Sequence, residues 1–252
     1  MSDTGRVTKE IRDGIGTITF FHPKKNSLPG ALLKEITAAV TDIGENPAVR
    51  VMVLRSEGDG PFCAGASFDE LLSIQTFAQG KEFFMGFARL ILAMKKCPKF
   101  IIARIQGKAV GGGVGVTAAA DYALATERSA VKLSELALGI GPFVVGPAVE
   151  RKLGSGPFSA MSIDADWRDA AWAKRHGLYV DIYPDIPALD AAVAAMAAKL
   201  ASCSPEAMAL LKAACWKGSE EWDQLLESRA EMSGKLVLSA FTAKAIAAFK
   251  QQ

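Results

Sequence analysis

Gln106-Gly107-Lys108-Ala109-Val110-Gly111-Gly112-Gly113 follows the apolar run Phe100–Ile105 and precedes Val114–Ala120. A short β-branched run ending in a glycine cluster, with an apolar helical stretch behind it, reads as strand, turn and buried helix. A helix that starts on glycine leaves its first amides without intrahelical acceptors and open to close approach by a ligand. The same pattern occurs upstream. Val49–Leu54 is a buried strand, Glu57-Gly58-Asp59-Gly60 is a turn, and Phe62-Cys63-Ala64-Gly65-Ala66-Ser67-Phe68 leads into a short helix near Asp69–Ser73. Two helix starts whose amides converge on one oxygen would form an oxyanion-binding site.

Working outward, Ile15–Phe21 reads as a strand and Ala31–Ile43 as an amphipathic helix opened by Pro29-Gly30. A longer helix runs from Ala78 to Lys96 and ends before Pro98. Tyr122–Ala125 and Ala130–Leu133 are two further short strands. From Gly154 onward strand-like runs vanish, and helices are predicted over Ala188–Ala201, Pro205–Lys217, Glu220–Val237 and Thr242–Phe249. The expectation is a single domain over 1–252, with an α/β core over 1–153 joined through Gly139–Gly156 to a helical region over 154–252.

Composition bounds the function. The 252 residues carry 29 basic and 27 acidic side chains, evenly mixed, for a net charge of +2, so nothing marks a nucleic-acid surface. Half the residues are hydrophobic, but the apolar stretches are interrupted well short of membrane-spanning length. Residues 1–14 lack the features of a targeting peptide. A soluble, cytoplasmic protein without nucleic-acid or membrane partners is expected. Cys63, Cys97, Cys203 and Cys215 are widely spaced and only two histidines are present, so neither a disulfide framework nor a metal site is expected. The cysteines read as reduced and mostly buried.

The third chemically suggestive segment is Leu133-Ser134-Glu135-Leu136-Ala137-Leu138-Gly139-Ile140-Gly141-Pro142, where one carboxylate stands among apolar residues. Burial there should raise its pKa towards that of a working acid/base. Gly113-Val114-Gly115-Val116-Thr117-Ala118 also fits the dinucleotide pattern G-x-G-x-x-A. The interval from Ile105 to Gly113 is long for that motif's tight turn, and a nucleotide fold leaves Phe62–Phe68 unexplained. A serine hydrolase would need His22 or His176 as base, and neither neighbours a nucleophile-elbow serine.

In order and spacing, the three segments resemble the enoyl-CoA hydratase/isomerase (crotonase) family across nearly the whole chain. His22-Pro23-Lys24-Lys25-Asn26-Ser27-Leu28, Pro98–Ala103 with Gln106-Gly107, and Ala120-Asp121-Tyr122 add to the match. The resemblance implies a crotonase-like α/β spiral of ββα units with a C-terminal helical region, assembled as a homotrimer or homohexamer through that region. It implies an acyl-CoA thioester substrate and no cofactor beyond the coenzyme A that substrate carries. It also implies an oxyanion hole from the amides of Ala66 and Gly112, with Glu135 as the catalytic carboxylate. Lys24, Asn26, Ala64, Ser67, Phe68, Gly111, Gly113, Ser134 and Phe143 fall at the substrate and CoA side of the site. Leu71, Leu72, Phe83, Phe84, Phe87 and Val144 are further candidates to shape the acyl pocket.

One departure bears on the chemistry. The best-known hydratases of the family carry a second glutamate where this chain has Gly115. They also continue into a glycine-rich turn with a Thr-Gln-Arg run, whereas Leu138-Gly139-Ile140-Gly141-Pro142-Phe143 is more similar to the mitochondrial-type 3,2-enoyl-CoA isomerases. Double-bond isomerisation is the leading expectation and hydration the alternative, in which Ser67, Ser134 or Asp69 could assist a water.

Overall fold

A computed structural model describes residues 5–249. In chain order its elements are β1 (Arg6–Arg12), β2 (Ile15–Phe21), α1 (Gly30–Glu45), β3 (Val51–Ser56), α2 (Phe68–Ser73), α3 (Phe77–Lys96), β4 (Ile101–Ile105) and β5 (Ala109–Val110). They continue with α4 (Gly112–Ala119), β6 (Tyr122–Thr126), β7 (Ala130–Lys132), α5 (Gly146–Leu153), α6 (Ser155–Asp164), β8 (Arg168–Asp169) and α7 (Ala170–Arg175). The last are β9 (Asp181–Tyr183), α8 (Ile186–Ala201), α9 (Pro205–Cys215), α10 (Trp222–Leu236) and α11 (Ala240–Phe249).

The main sheet has the order β1-β2-β3-β4-β6-β9, antiparallel at β1/β2 and parallel elsewhere. A second ladder runs beside it. Leu28 bridges Ala66, Cys63 bridges Ala109, and β5 pairs with β7, which pairs with β8. Each of β2, β3 and β4 therefore passes first to a position on the second ladder and then into a helix. That repetition is the spiral of ββα units.

Local chemistry sets the boundaries. Thr76 and Gln79 form a reciprocal capping box at the start of α3, with Thr76 Oγ1 accepting from Gln79 N at 3.3 Å and Gln79 Oε1 accepting from Thr76 N at 3.0 Å. Such a cap is worth about 1 kcal/mol. Leu90, Ile91 and Met94 on α3 are sealed in the central core. α3 also crosses α10 where two glycines meet: a Cβ on Gly80 would lie 2.9 Å from the carbonyl oxygen of Gly234.

Three expectations need correction. Strands do not vanish after Gly154: β9 extends the main sheet alongside β6, and β8 completes the smaller ladder. Gly139–Gly156 is not a simple joint, because Gly146–Leu153 is helical and Gly146-Pro147 gives α5 a proline in its first turn. The tail also packs into the core. α8 buries Leu189, Val193 and Ala197 against Val51, Val53, Ile102 and Leu124 of the sheet. Finally, only Cys63 and Cys97 are buried; Cys203 and Cys215 are exposed. No single described helix is long and apolar enough to cross a membrane.

Candidate active site

The three segments singled out in the sequence converge on one cavity of about 450 Å³. Ala64, Ala66 and Phe68 enter from the loop after β3, Gly111 and Gly112 from the start of α4, and Ser134 and Glu135 from the turn after β7. Leu71, Phe83, Phe84, Phe87, Phe143 and Val144 supply an apolar wall. Leu72 packs beside this cluster without lining the cavity.

Gly111 makes the turn possible. Its φ of 52° with ψ of −114° is accessible to glycine and not to L-residues with a side chain. Its N–H donates to the carbonyl of Lys132 at 2.9 Å, tying the start of α4 to β7 and thus to the glutamate segment. Gly112, the first residue of α4, has no acceptor for its N–H within the helix. Among the described residues neither that amide nor the amide of Ala66 has an intramolecular acceptor, and both residues line the cavity. The two strands of the site are in close contact, since a Cβ on Gly65 would lie 3.1 Å from the carbonyl oxygen of Val110 and 4.0 Å from Gly112 N. Gly112 admits no side chain either: a Cβ there would come within 2.2 Å of the Phe87 ring.

Glu135 sits directly over this backbone. A Cβ on Gly111 would lie 2.8 Å from Glu135 Oε1. The other oxygen, Oε2, is buried and accepts no hydrogen bond. Desolvation pushes the carboxyl up to about 7, against the smaller lowering effect of the Glu135 and Ser134 amides. Apart from Glu135, Lys132 is the only titratable residue lining the cavity among those described, and its ammonium is turned to the Trp167 ring, 5.9 Å from the centroid.

The position of the missing second glutamate has a physical occupant. A Cβ on Gly115 would fall 2.4 Å from Cγ1 and 2.6 Å from Cβ of Val145, and 3.4 Å from its Cα. Val145 is 4% exposed and caps α5. A carboxylate side chain at 115 would require the start of α5 to move.

Other anticipated ligand contacts fall elsewhere. Gly113 packs on Cys63, 2.8 Å from the sulfur-bearing Cβ were it to carry a Cβ of its own. Asn26 is committed to the protein: Oδ1 accepts from His22 N at 3.0 Å, and Nδ2 donates to the carbonyls of Glu57 and Pro61 at 3.1 and 3.0 Å. Ser67 caps α2, accepting from Glu70 N at 3.3 Å. Lys24 is exposed and forms an ion pair with Asp69. These four hold or flank the loops instead of lining the cavity. The dinucleotide reading fails on geometry, because β5 intervenes between β4 and α4 where that motif needs a direct turn. Sequence reading also missed Val145 and the closure by the tail, where Ser233 of α10 with Ala245 and Ala248 of α11 complete the cavity wall. Small residues on helices give no signal of such a role. Among the described residues no cluster of three His, Cys, Asp or Glu side chains could hold a metal ion.

Known proteins resemble this chain in sequence and in fold. A family profile described as enoyl-CoA hydratase/isomerase matches residues 10–251. A short-chain-enoyl-CoA hydratase of Clostridium acetobutylicum is 26% identical over 250 residues, covering 98% of this chain and 95% of the relative. A (7aS)-7a-methyl-1,5-dioxo-2,3,5,6,7,7a-hexahydro-1H-indene-carboxyl-CoA hydrolase of Rhodococcus jostii is 32% identical over 127 residues, 50% of this chain and 49% of that one. The aligned region thus spans about half the length of that hydrolase. The crystal structure of an enoyl-CoA hydratase from Mycobacterium avium superposes with a TM-score of 0.87 at 28% identity, covering 97% of this chain and 96% of that one. By this match over most of its length, the chain belongs to the enoyl-CoA hydratase/isomerase family.

Proposed function

We propose that the protein is an acyl-CoA enzyme that moves a double bond between the 3 and 2 positions of an enoyl thioester, with Glu135 as the only acid/base. The observation that carries this reading is the packing of Val145 on Gly115, which leaves a single carboxylate in an apolar cavity. Isomerisation needs no more. The ionised Glu135 takes a proton from the α-carbon, and the electron pair moves into the thioester to form an enolate. The amides of Ala66 and Gly112 donate to its oxygen. The same carboxyl then returns a proton at the γ-carbon as the double bond re-forms between C2 and C3. A carboxyl whose pKa lies near 7 is matched to both transfers at neutral pH.

Hydration is the second reading, supported by the Clostridium relative, whose name is that of a hydratase and which aligns over nearly the whole chain. Two carboxylates facing one water divide that work naturally, and among the described residues only Glu135 lines the cavity. Exposed Met232 and Leu236 of α10, Leu238 after it and Phe241 of α11 offer an apolar face through which a homotrimer or homohexamer could assemble. Mass spectrometry of products from 2-enoyl-CoA and 3-enoyl-CoA thioesters tests the assignment. Unchanged mass with a relocated double bond is expected; gain of one water would replace isomerase with hydratase.

A further inference from the structure

The sheet face turned towards α8 carries two arginines side by side. Arg55 of β3 and Arg104 of β4 are direct neighbours across parallel strands. Strand alternation places them on the same face as Val51, Val53 and Ile102, which pack under α8. Arg104 is 2% exposed, and one edge of its guanidinium is held by Asp190 of α8, with Nε to Oδ1 at 2.7 Å and Nη2 to Oδ2 at 3.1 Å. Its Nη1 is buried and has no acceptor. Arg55 Nε is likewise buried without an acceptor, and among the described residues Arg55 has no ion pair within 4 Å, Asp190 and Glu57 being the opposite charges near it. Like charges directly opposite on adjacent strands destabilise a sheet, and buried donors left unpaired add to the cost.

A cavity of about 320 Å³ opens beside these groups, with Arg55, Arg104, Asp190, Val193 and Thr17 in its wall. We propose that it binds a small oxyanion, a carboxylate or phosphate group held between Arg55 and the free edge of Arg104. Guanidinium forks match such oxygens in plane and in spacing, and an anion there would offset the repulsion between the two arginines. Arg55, Arg104 and Asp190 together carry a net charge of +1, and with Glu10, Arg12 and Asp13 the whole lining is neutral. At the rim Arg12 pairs with Asp13 at 3.5 Å and Glu10 adds a negative charge, which favours a small anion over a polyanion. The site uses none of the residues around Glu135.

The test is titration of the full chain with inorganic phosphate and, separately, with malonate, by calorimetry at constant ionic strength. The expected result is saturable binding that weakens at least tenfold in Arg55→Gln and persists in the double variant Lys24→Ala/Lys25→Ala. Arg55→Lys, which keeps the charge but loses the fork, should weaken binding several-fold and covers the case in which Arg55→Gln does not fold. Preference for phosphate or for malonate assigns the natural group as phosphate or carboxylate. The proposal is overturned if neither anion binds saturably, which would mean a water-filled cavity. It is also overturned if binding survives both Arg55 variants, or if the lysine variant alone abolishes it.

Discussion

Glu135 and Lys212 are both buried charged residues, and their surroundings differ in every other respect. Lys212 is 2% exposed and saturated: its ammonium pairs with Asp121 Oδ2 at 2.8 Å and donates to the carbonyls of Met94 and Lys99, each at 2.9 Å. Asp121 in turn accepts from Trp216 Nε1 at 2.9 Å and from the Ile101 amide at 2.8 Å. That knot fastens α9 to the sheet and to the end of α3. Glu135 has a sealed oxygen with no partner, and it faces a cavity. A buried charge with all its partners supports the fold. One with an oxygen left unpartnered beside an open volume is poised for chemistry.

The largest effect should come from Glu135→Gln. Turnover is expected to fall by about 10²–10⁴ while the fold and thioester binding are retained. Full activity in that variant would erase the contrast. Lys212→Met should do the reverse. It removes the ion-pair partner of the partly buried Asp121, which keeps its bonds from Trp216 and Ile101, at a cost of up to about 3–5 kcal/mol in denaturant unfolding, while the folded fraction keeps its turnover. Loss of turnover in excess of unfolding would make Lys212 part of the catalytic machinery.

The pH dependence separates the two sites further. Because the Glu135 carboxyl is raised from 4.5 to about 7, the folded state is penalised when this group must ionise. The penalty is absent below the unfolded pKa and grows as pH rises from about 4.5 through 7, reaching up to ~3 kcal/mol. Glu135→Gln should therefore raise the melting temperature at pH 8 and leave it nearly unchanged at pH 4. In the same range kcat/KM of the unaltered protein should fall on the acid side of about pH 7, as the base becomes protonated. The smallest expected effect is in Val145→Ala, which removes the side chain packed on Gly115 and should cost about 0.5–1.5 kcal/mol of stability with little change in turnover. Gly115→Glu should be overpacked and destabilised both alone and with Val145→Ala, which keeps the Cβ 2.6 Å away; the pair Gly115→Glu/Val145→Gly clears that contact and should introduce water addition.

The front of the fold was legible because its signals are local. Val49–Leu54, Phe100–Ile105 and the two glycine-containing segments announce strand and turn by composition, and Glu135 stands out against apolar neighbours. β1 escaped notice because its side chains are mostly charged and exposed, although the Asp13-Gly14 pair with φ of 52° and 76° is a two-residue hairpin signal. β9 escaped because three half-buried residues at a sheet edge show no alternation. Asn26 shows the other limit. Its motif position suggested ligand contact, but only coordinates reveal that main-chain partners already take its amide group. Val145 lies 30 residues from Gly115, so no sequence pattern could disclose that it fills the space beside it.

The central claim is that one carboxyl carries the proton both ways. Its most direct test is conversion of a 3-enoyl-CoA thioester deuterated at the α-carbon, with the product's isotope position read by NMR and mass spectrometry. The account predicts a 2-enoyl product of unchanged skeleton that retains part of the deuterium at the γ-carbon, and no product at a comparable rate with Glu135→Gln. A hydrated product, or a γ-carbon whose hydrogen comes entirely from solvent at every conversion, would contradict it.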